Sequence, residues 1–392
     1  MITILSAPNK FMAAHNFIPY TISSDNTSQP NFNFVIDVNE TGGASNPLAR
    51  LIYPKQPSVN TLTFDVGSVL KNYVRYDFLN ATEDPLIYAN TNSRVKYFCE
   101  FRELYDVSGT PTLSGVLASN PTTPSSTVYN VATNAVFDFE DYSPLAYANC
   151  NVSGFGFLNA TLTEKEEINL DQYRVLTFFD PNRVVTAIKV TANGIGPVTM
   201  PIVLPTNEFL FNINGNIFNA AEEQASANIT TPSTIIVQVL AGSTVLGTKT
   251  YQSPTSCSQY ETVRLHWLNK LGGFEAYNFN KSSKKSENIN RKQFKAPLQI
   301  GYSKSERLKT NYNTTIEDSI QVNSDWISDE LAEYFEQLMT SPVIYLERSA
   351  TDLIAVNITN TNYQTKKFMD NRQMFNISFD IEYTYNRYRQ TL

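Results

Sequence analysis

The stretch Leu265–Phe279 (LHWLNKLGGFEAYNF) constrains the fold most, because it contains two aromatic-rich segments separated by a double glycine. Aromatic residues favour β-strands, and glycine adopts the positive φ of a tight turn without steric cost. The stretch therefore predicts a strand, a turn at Gly272 and Gly273, and a second strand. A buried core hairpin and a hairpin packed on a neighbouring subunit both explain this pattern, and the sequence leaves the two interpretations open.

Apolar and polar residues alternate in several other places, with the period of a half-buried strand. The longest alternation, Phe375–Tyr385, predicts a strand long enough for a large curved sheet or a barrel wall. Other predicted strands are Phe32–Val38, Val95–Phe101, Arg183–Thr191 and a hairpin of Thr234–Leu240 with Thr244–Tyr251. These patterns indicate a mainly β fold with minor α, between all-β and α+β, with β-sandwich-like or barrel-like domains.

Helix signals are few. Asp65 is a predicted N-cap for an apolar face that runs from Val66 to Val74. Ser328 is a predicted N-cap for the clearest amphipathic helix, and Pro342 ends that helix. The spacing of Thr163 and Glu166 predicts a short third turn. The apolar face of the clearest helix consists of Leu331, Tyr334, Phe335 and Leu338.

A chain of 392 residues is longer than one typical domain. We expect a β-rich N-terminal domain (1–145), a β-sandwich-like middle domain (146–258) and a C-terminal α+β domain (259–392) that contains the double-glycine hairpin. The stretch Ser108–Thr127 is rich in proline and small polar residues, which predicts a long exposed loop or arm. No solenoid repeat and no heptad run is present, so neither a solenoid nor a coiled-coil fibre is expected.

The distribution of charge is uneven. Residues 1–260 contain 13 Lys and Arg against 21 Asp and Glu, whereas residues 261–392 contain 17 against 16. Nine basic residues lie in Lys281–Lys309 against Glu287 and Glu306. The formal net charge of −7 argues against nucleic-acid binding by the chain as a whole. The basic segment predicts either a solvated loop or an electrostatic contact, with an acidic protein surface or with DNA in a ring lumen. Because few aromatic residues lie between the basic ones, we favour a subunit contact over base readout.

No pattern of residues indicates catalysis, a metal or a cofactor. The two histidines, His15 and His266, lie at no metal-ligand spacing, and His266 is expected to be a half-buried strand residue. No nucleophile elbow, P-loop or dinucleotide fingerprint is present. Several acidic pairs occur, at Asp138/Glu140/Asp141, Glu166/Glu167 and Asp329/Glu330. They fit solvated loops and helix starts better than the carboxylate pair of a glycosidase, so we expect a protein that is not an enzyme.

Cysteine usage and hydropathy limit the cellular setting. Cys99, Cys150 and Cys257 are far apart and odd in number, which predicts small buried apolar residues instead of disulfides or a zinc site. The N-terminus lacks a secretory signal. No apolar run of about 18 residues occurs, so no membrane span is expected. These features predict synthesis in a cytoplasm.

Three regions together resemble virion structural proteins of tailed phages that infect Bacteroidetes, including the crAss-like group. They are Trp267–Phe279, an N-terminal run (Phe11–Asn16, Tyr53-Pro54, Phe64–Val66) and a C-terminal run (Ser324–Ile327, Leu338–Tyr345). The resemblance implies a component of the tail, tail hub or head–tail connector (neck), assembled as a homo-oligomeric ring in contact with other tail or neck proteins. It implies location in the virion after synthesis in the host cytoplasm.

The residues singled out for assembly come from the hairpin and from the basic segment that follows it. They are Trp267, Asn269, Gly272, Gly273, Phe274, Phe279, Lys281, Lys284, Lys285, Arg291 and Lys292. Two alternatives remain at this point. One is a receptor- or glycan-binding adhesin that stacks sugars on Tyr129, Tyr142 or Tyr147. The other is a glycan depolymerase that uses Glu140 and Asp141.

Overall fold

Strands dominate the structure, which is a computed structural model. It describes residues 1–42, 47–77, 86–125, 127–138, 155–159, 166–215, 217–253, 259–297, 300–349, 351–360 and 376–389. Within these ranges the chain forms 27 strands, in five sheets, and three helices, so the mainly β prediction is confirmed. Strands and helices are numbered in chain order below. None of the helices in these ranges is long enough to cross a membrane, since the longest has 12 residues.

Two sheets built from the first third of the chain enclose one core. The first sheet has the order β1 (Ile2–Ser6), β3 (Pro19–Ser24), β6 (Thr61–Asp65). The second has the order β2 (Phe11–Ala13), β11 (Asn130–Thr133), β8 (Arg94–Val107), β4 (Asn33–Glu40), β5 (Ala49–Pro54). The predicted alternations at Phe32–Val38 and Val95–Phe101 are confirmed, because their apolar side chains are buried in this core. Cys99 is also buried there, as expected.

Two further sheets form the middle core. One has the order β12 (Gly156–Phe157), β14 (Leu176–Phe179), β17 (Leu210–Ile213), β7 (Ile87–Ala89). The other has the order β13 (Glu166–Glu167), β19 (Thr244–Gln252), β18 (Thr234–Ala241), β15 (Ala187–Ala192), β16 (Gly196–Pro201). The predicted hairpin is formed by β18 and β19. Since β7 comes from the first third of the chain, the middle sheets are not built from one continuous segment.

The last third of the chain forms an eight-stranded sheet. Its order is β21 (Phe274–Phe279), β20 (Val263–Leu268), β24 (Ile344–Ser349), β25 (Asp352–Ile358), β26 (Ser378–Tyr383), β23 (Lys309–Asn323), β22 (Lys284–Lys295). The eighth strand, β27 (Arg387–Tyr388), also pairs with β23. Helix α3 (Asp329–Thr340) packs on this sheet through Phe335, which stacks on Phe279 with ring centroids 5.6 Å apart. The two long strands β22 and β23 lie at one edge of the sheet, and β21 forms the other edge.

Helix α3 follows its predicted pattern. The Ser328 hydroxyl accepts a hydrogen bond from the Leu331 amide at 3.3 Å, and Asp329 and Glu330 occupy the first turn. All four predicted apolar residues are buried against the sheet. Carboxylates in the first turn stabilise the positive N-terminal end of the helix. The next strand begins at Ile344, after Pro342, as the proline predicts.

Other predicted elements differ from those in the structure. The helix after Asp65 is one turn, α1 (Gly67–Leu70), although the Asp65 carboxylate does accept hydrogen bonds from the first amides. Only Ser378–Tyr383 of the long C-terminal alternation is strand, and Phe375 lies outside the described residues, as does Thr163. Helix α2 (Ile217–Ala225) was not predicted.

The predicted loop Ser108–Thr127 folds back onto its own sheet instead of extending as an arm. Strand β9 (Thr110–Leu113) pairs with β8 as a hairpin, and β10 (Ala118–Asn120) pairs with β8 at Cys99–Phe101. Short polar strands with proline give a weak strand signal because strand pairing, and not side-chain burial, holds them in place. The extended arm of the molecule is elsewhere, at β22 and β23.

Candidate assembly surface

The double-glycine hairpin (β20, β21 and their turn, here the glycine hairpin) lies inside the molecule. All six residues of β20 are buried, as are five of the six in β21. Trp267 packs on Tyr334 of α3 with ring centroids 4.9 Å apart. Phe279 contacts Phe335 and Phe379 of the same core. Of the two interpretations left open by the sequence, these contacts fit the buried core hairpin.

The turn of the glycine hairpin touches both of the other parts of the chain. Gly272 has a φ of +86°, and a Cβ atom there would lie 2.4 Å from the carbonyl oxygen of Asn134. A Cβ atom on Gly273 would lie 3.3 Å from the Cβ atoms of Leu158 and Thr177. Gly272 thus meets the N-terminal segment of the chain and Gly273 meets the middle segment. The double glycine permits a close approach between parts of one chain.

Asn269 holds this turn together. Its Oδ1 atom accepts hydrogen bonds from the amides of Leu271 at 3.0 Å and Gly273 at 2.9 Å. Its Nδ2 atom donates to the Leu158 carbonyl at 2.6 Å and to the Glu275 carboxylate at 2.8 Å. Four hydrogen bonds satisfy the amide fully within the chain. Asn269 is therefore a positioning residue for the junction between segments.

Phe274, the remaining hairpin residue singled out from the sequence, also packs within the chain. Its ring lies 6.0 Å from that of Tyr76 and 6.3 Å from that of Tyr345. The side chains of Trp267, Asn269, Phe274 and Phe279 are each no more than 7% exposed. A neighbouring subunit cannot reach side chains that are already enclosed, so we do not propose these four residues as a subunit contact.

A buried charge network lies next to the glycine hairpin. Arg264 of β20 contacts the Glu166 carboxylate at 3.2 Å and the Glu347 carboxylate at 3.3 Å. Glu347 also contacts His266 at 2.7 Å and accepts a hydrogen bond from the Tyr173 amide at 2.8 Å. Glu166 and Tyr173 belong to the middle third of the chain. The network therefore joins the middle segment to the C-terminal sheet.

The protonation of this network fits a structural role. Burial lowers the pKa of His266, although its hydrogen bond with Glu347 acts in the other direction. Burial alone raises the pKa of Glu347, but the His266 hydrogen bond and the Arg264 charge outweigh burial, so the pKa of Glu347 is lowered. A neutral histidine beside an ionised glutamate is the result. His266 is 1% exposed, so it is fully buried and not half-buried as expected.

The other acidic residues considered from the sequence lie in different parts of the structure. Asp138 pairs with Lys270 at 2.7 Å, and Asp329 and Glu330 lie in the first turn of α3. Glu140 and Asp141 lie outside the described residues. In the part of the chain that the structure describes, no three His, Cys, Asp or Glu side chains are grouped as they would be around a metal ion.

Tyr129, proposed from the sequence as an exposed sugar-stacking residue, is buried. It is 6% exposed, and its ring faces the ammonium groups of Lys10 and Lys96 at 5.3 and 5.1 Å. The prediction of an exposed ring was wrong because Tyr129 packs in a cluster with Phe209 and Leu210, a contact between distant segments that the sequence does not show. Tyr142 and Tyr147 lie outside the described residues.

The basic segment forms an exposed hairpin of two long strands, Lys284–Asn323, here called the basic arm. Every residue of β22 is exposed. Strand β23 pairs with β26 at Ser319–Asn323 and with β27 at Thr315 and Ile316. From Lys309 to Asn313, toward the end of the hairpin, β23 pairs with β22 alone among the described residues. At roughly 3.3 Å per residue, the paired strands extend about 15–20 Å beyond the sheet.

Residues 291–313, here called the arm tip, are strongly basic. Six basic residues lie there against Glu306, a net charge of +5: Arg291, Lys292, Lys295, Lys304, Arg307 and Lys309. None of the six forms an ion pair with another described residue. Lys281 and Lys285, by contrast, pair with Asp325 and Glu261 at 2.7 Å near the base of the arm. Of the five basic residues singled out from the sequence, Lys284, Arg291 and Lys292 are thus the ones presented to solvent without such a pair.

The arm also exposes apolar surface. Phe294 and Tyr312 are 51% and 47% exposed, and their rings lie 6.3 Å apart. Ile289 is 40% exposed. A two-stranded ribbon without a third strand or a covering layer is marginally stable in water, and exposed aromatic residues beside arginine are typical of protein interfaces. These features make the basic arm the best candidate for a surface that contacts another molecule.

No protein-family model matches this sequence, and no curated protein matches it. Its function is therefore inferred from its own residues and geometry.

Proposed function

We propose that the protein is a non-enzymatic structural component of a tailed-phage virion, located in the tail hub or the head–tail neck ring. It assembles as a homo-oligomeric ring and contacts other tail or neck proteins. The phage setting is supported by the sequence resemblance at Trp267–Phe279 and at the two terminal runs. The assembly role is supported by the basic arm, and this arm is the single observation on which the proposal most depends.

The arm tip supports assembly because it contributes little to the fold of its own chain. Below the tip, β23 continues the sheet, where it pairs with β26 at Ser319–Asn323 and with β27 at Thr315 and Ile316. The tip has a net charge of +5 and exposes Phe294 and Tyr312. Arms that extend from one subunit onto the next allow rings to close through two different patches of the same chain.

The buried charge network supports a structural role over catalysis. Arg264 lies between the Glu166 and Glu347 carboxylates and contacts both. A general acid needs a raised pKa and access to substrate, whereas the pKa of Glu347 is lowered and its side chain is 4% exposed. These carboxylates are suited to holding segments together.

Localisation of the protein in purified phage particles tests this proposal. An antibody against the recombinant chain would be applied to intact and disrupted particles, and gold-labelled electron microscopy would show where it binds. We expect label at the tail or neck, and none with pre-immune serum. Label confined to distal appendages would instead favour an adhesin, and absence of label from intact and disrupted particles would contradict a virion component.

A further inference from the structure

We propose that the arm tip of one copy binds the outer face of helix α3 on the next copy. This inference rests on the proposed assembly role and specifies the two surfaces that meet. The occupant of the helix face is a second copy of this chain.

Helix α3 presents an acidic outer face. Its inner residues are buried against the sheet, and its other side contains Asp329, Glu330, Glu333 and Glu336, with no basic residue in the helix. Asp329, Glu333 and Glu336 are exposed. Glu333 and Glu336 form no ion pair with any other described residue. Below, this set of four residues is called the acidic helix face.

The charges of the two surfaces are complementary. The tip has six basic residues against Glu306, and the helix face has four acidic residues with no basic one. No ion pair joins the tip to α3 within the described residues of one chain. A contact between two different surfaces of identical copies is heterologous, so each copy can give its tip to one neighbour and receive the tip of the other, as a ring requires.

A protein surface suits the tip better than DNA does. The overall charge of −7 repels a polyanion, whereas an acidic helix is present on every copy in equal number. The tip also exposes Phe294 and Tyr312, and tyrosine, phenylalanine and arginine are enriched at protein interfaces. Binding to duplex DNA is treated below as a competing outcome.

Charge reversal tests the contact. One variant reverses the tip (Arg291→Glu with Lys292→Glu), a second reverses the helix (Glu333→Lys with Glu336→Lys), and a third combines all four changes. Self-association is measured by sedimentation velocity at about 0.05 M and 0.5 M salt. We expect each of the first two variants to associate at least about tenfold more weakly than the parent chain. The third is expected to regain association, because its tip and helix are again opposite in sign.

A matched control changes the same number of acidic residues elsewhere. Glu40→Lys with Glu223→Lys alters two exposed glutamates in the other parts of the chain and gives the same change in net charge as the helix variant. We expect this control to associate like the parent chain. Added salt should weaken the parent assembly, because exposed charges are screened over roughly 8–10 Å near physiological ionic strength.

The outcomes separate this inference from the proposed function. If the parent chain forms a ring that the helix variant leaves intact, the tip–helix contact is wrong while ring assembly stands. If the parent chain is monomeric at all concentrations, ring assembly itself is contradicted. If the tip variant loses binding to duplex DNA but not self-association, the tip binds DNA and the inference is overturned.

Discussion

The glycine hairpin and the basic arm follow one another in the chain and lie at opposite edges of one sheet. The glycine-hairpin edge, β21, is covered by the middle segment. Asn159 donates to the Phe274 carbonyl at 2.6 Å, and Asn278 donates to the Glu167 carbonyl at 3.1 Å. The arm edge, β22, is exposed along its whole length and has no covering strand among the described residues. One edge thus holds segments of the chain together, and the other is exposed.

The residues at the two edges explain the difference. An exposed strand edge invites unwanted pairing, and proteins often place lysine there to prevent it. Strand β22 contains Lys284, Lys285, Arg291, Lys292 and Lys295 and only one acidic residue. Its charge is compatible with solvent and with an acidic partner.

Removal of a large aromatic side chain should show the largest difference in stability between the two hairpins. Trp267 is 0% exposed, so we expect Trp267→Ala to lower the free energy of unfolding by about 3–5 kcal/mol, since it leaves a cavity. Phe294 is 51% exposed, so Phe294→Ala should change the free energy of unfolding by less than about 0.5 kcal/mol. Urea denaturation measures both. Equal losses in the two variants would mean that the arm is part of the core.

Alanine substitutions at Gly272 and Gly301 compare a glycine packed against neighbouring backbone with a glycine in open space. Gly272 and Gly301 have φ values of +86° and +91°, but only at Gly272 would an added methyl group lie 2.4 Å from a backbone carbonyl oxygen, that of Asn134. Both variants incur backbone strain of about 1 kcal/mol. We expect Gly272→Ala to cost about 2–4 kcal/mol in total, because the neighbouring backbone must also move. Thermal unfolding that ranks the two variants equally would contradict the close approach.

Loss of the Asn269 amide should weaken the junction between segments. Asn269→Ala removes four hydrogen bonds and leaves the Leu158 carbonyl and the Gly273 amide without this partner. We expect a cost of about 2–3 kcal/mol, since unsatisfied buried polar groups are destabilising. In the arm, Gln293→Ala removes an exposed hydrogen bond to Asn311 and should cost less than about 0.5 kcal/mol. The comparison fails if hydrogen exchange near Leu158 is unchanged in Asn269→Ala.

Acid should lower the stability that the buried charge network gives the glycine hairpin. The pKa of His266 is lower in the folded chain than its ordinary value of 6.5, so the unfolded chain takes up the proton first as pH falls. The stability that neutral His266 contributes is present above pH 6.5 and is lost as pH falls toward its lower folded pKa. His266→Gln has no such proton to take up, so its stability should fall less than that of the parent between about pH 7.5 and 5.5. Parallel pH profiles for the two proteins, from chemical denaturation, would exclude this account.

Side-chain pattern made some of this fold predictable. Helix α3 follows from Ser328, the acidic first turn and an apolar face, because local capping and long-range burial favour the same structure there. The strands at Phe32–Val38 and Val95–Phe101 follow from alternation for the same reason. Helix α2 has no such agreement, because its apolar face is short, and its position depends on packing against the middle core.

The candidate site was only partly predictable. The basic segment was recognisable in the sequence, but the long hairpin that it forms was not. Paired strands of exposed polar residues show no periodic pattern of apolar residues. The sequence prediction also placed the glycine hairpin and the basic segment in one assembly surface. The sequence pattern of an aromatic strand pair is the same whether the pair packs on its own chain or on another chain. Contacts such as that of Gly272 with Asn134 join residues far apart in the chain and have no local signal.

We propose that the arm tip is used for assembly and is dispensable for folding. The most direct measurement is the native mass and melting temperature of a variant in which residues 291–314 are replaced by an Asn-Gly turn between Asn290 and Thr315, partners in the hairpin register. We expect a melting temperature within about 2 °C of the parent and a mass that falls from a ring to a monomer. A shortened chain that still forms the parent ring, or one that unfolds, would contradict it.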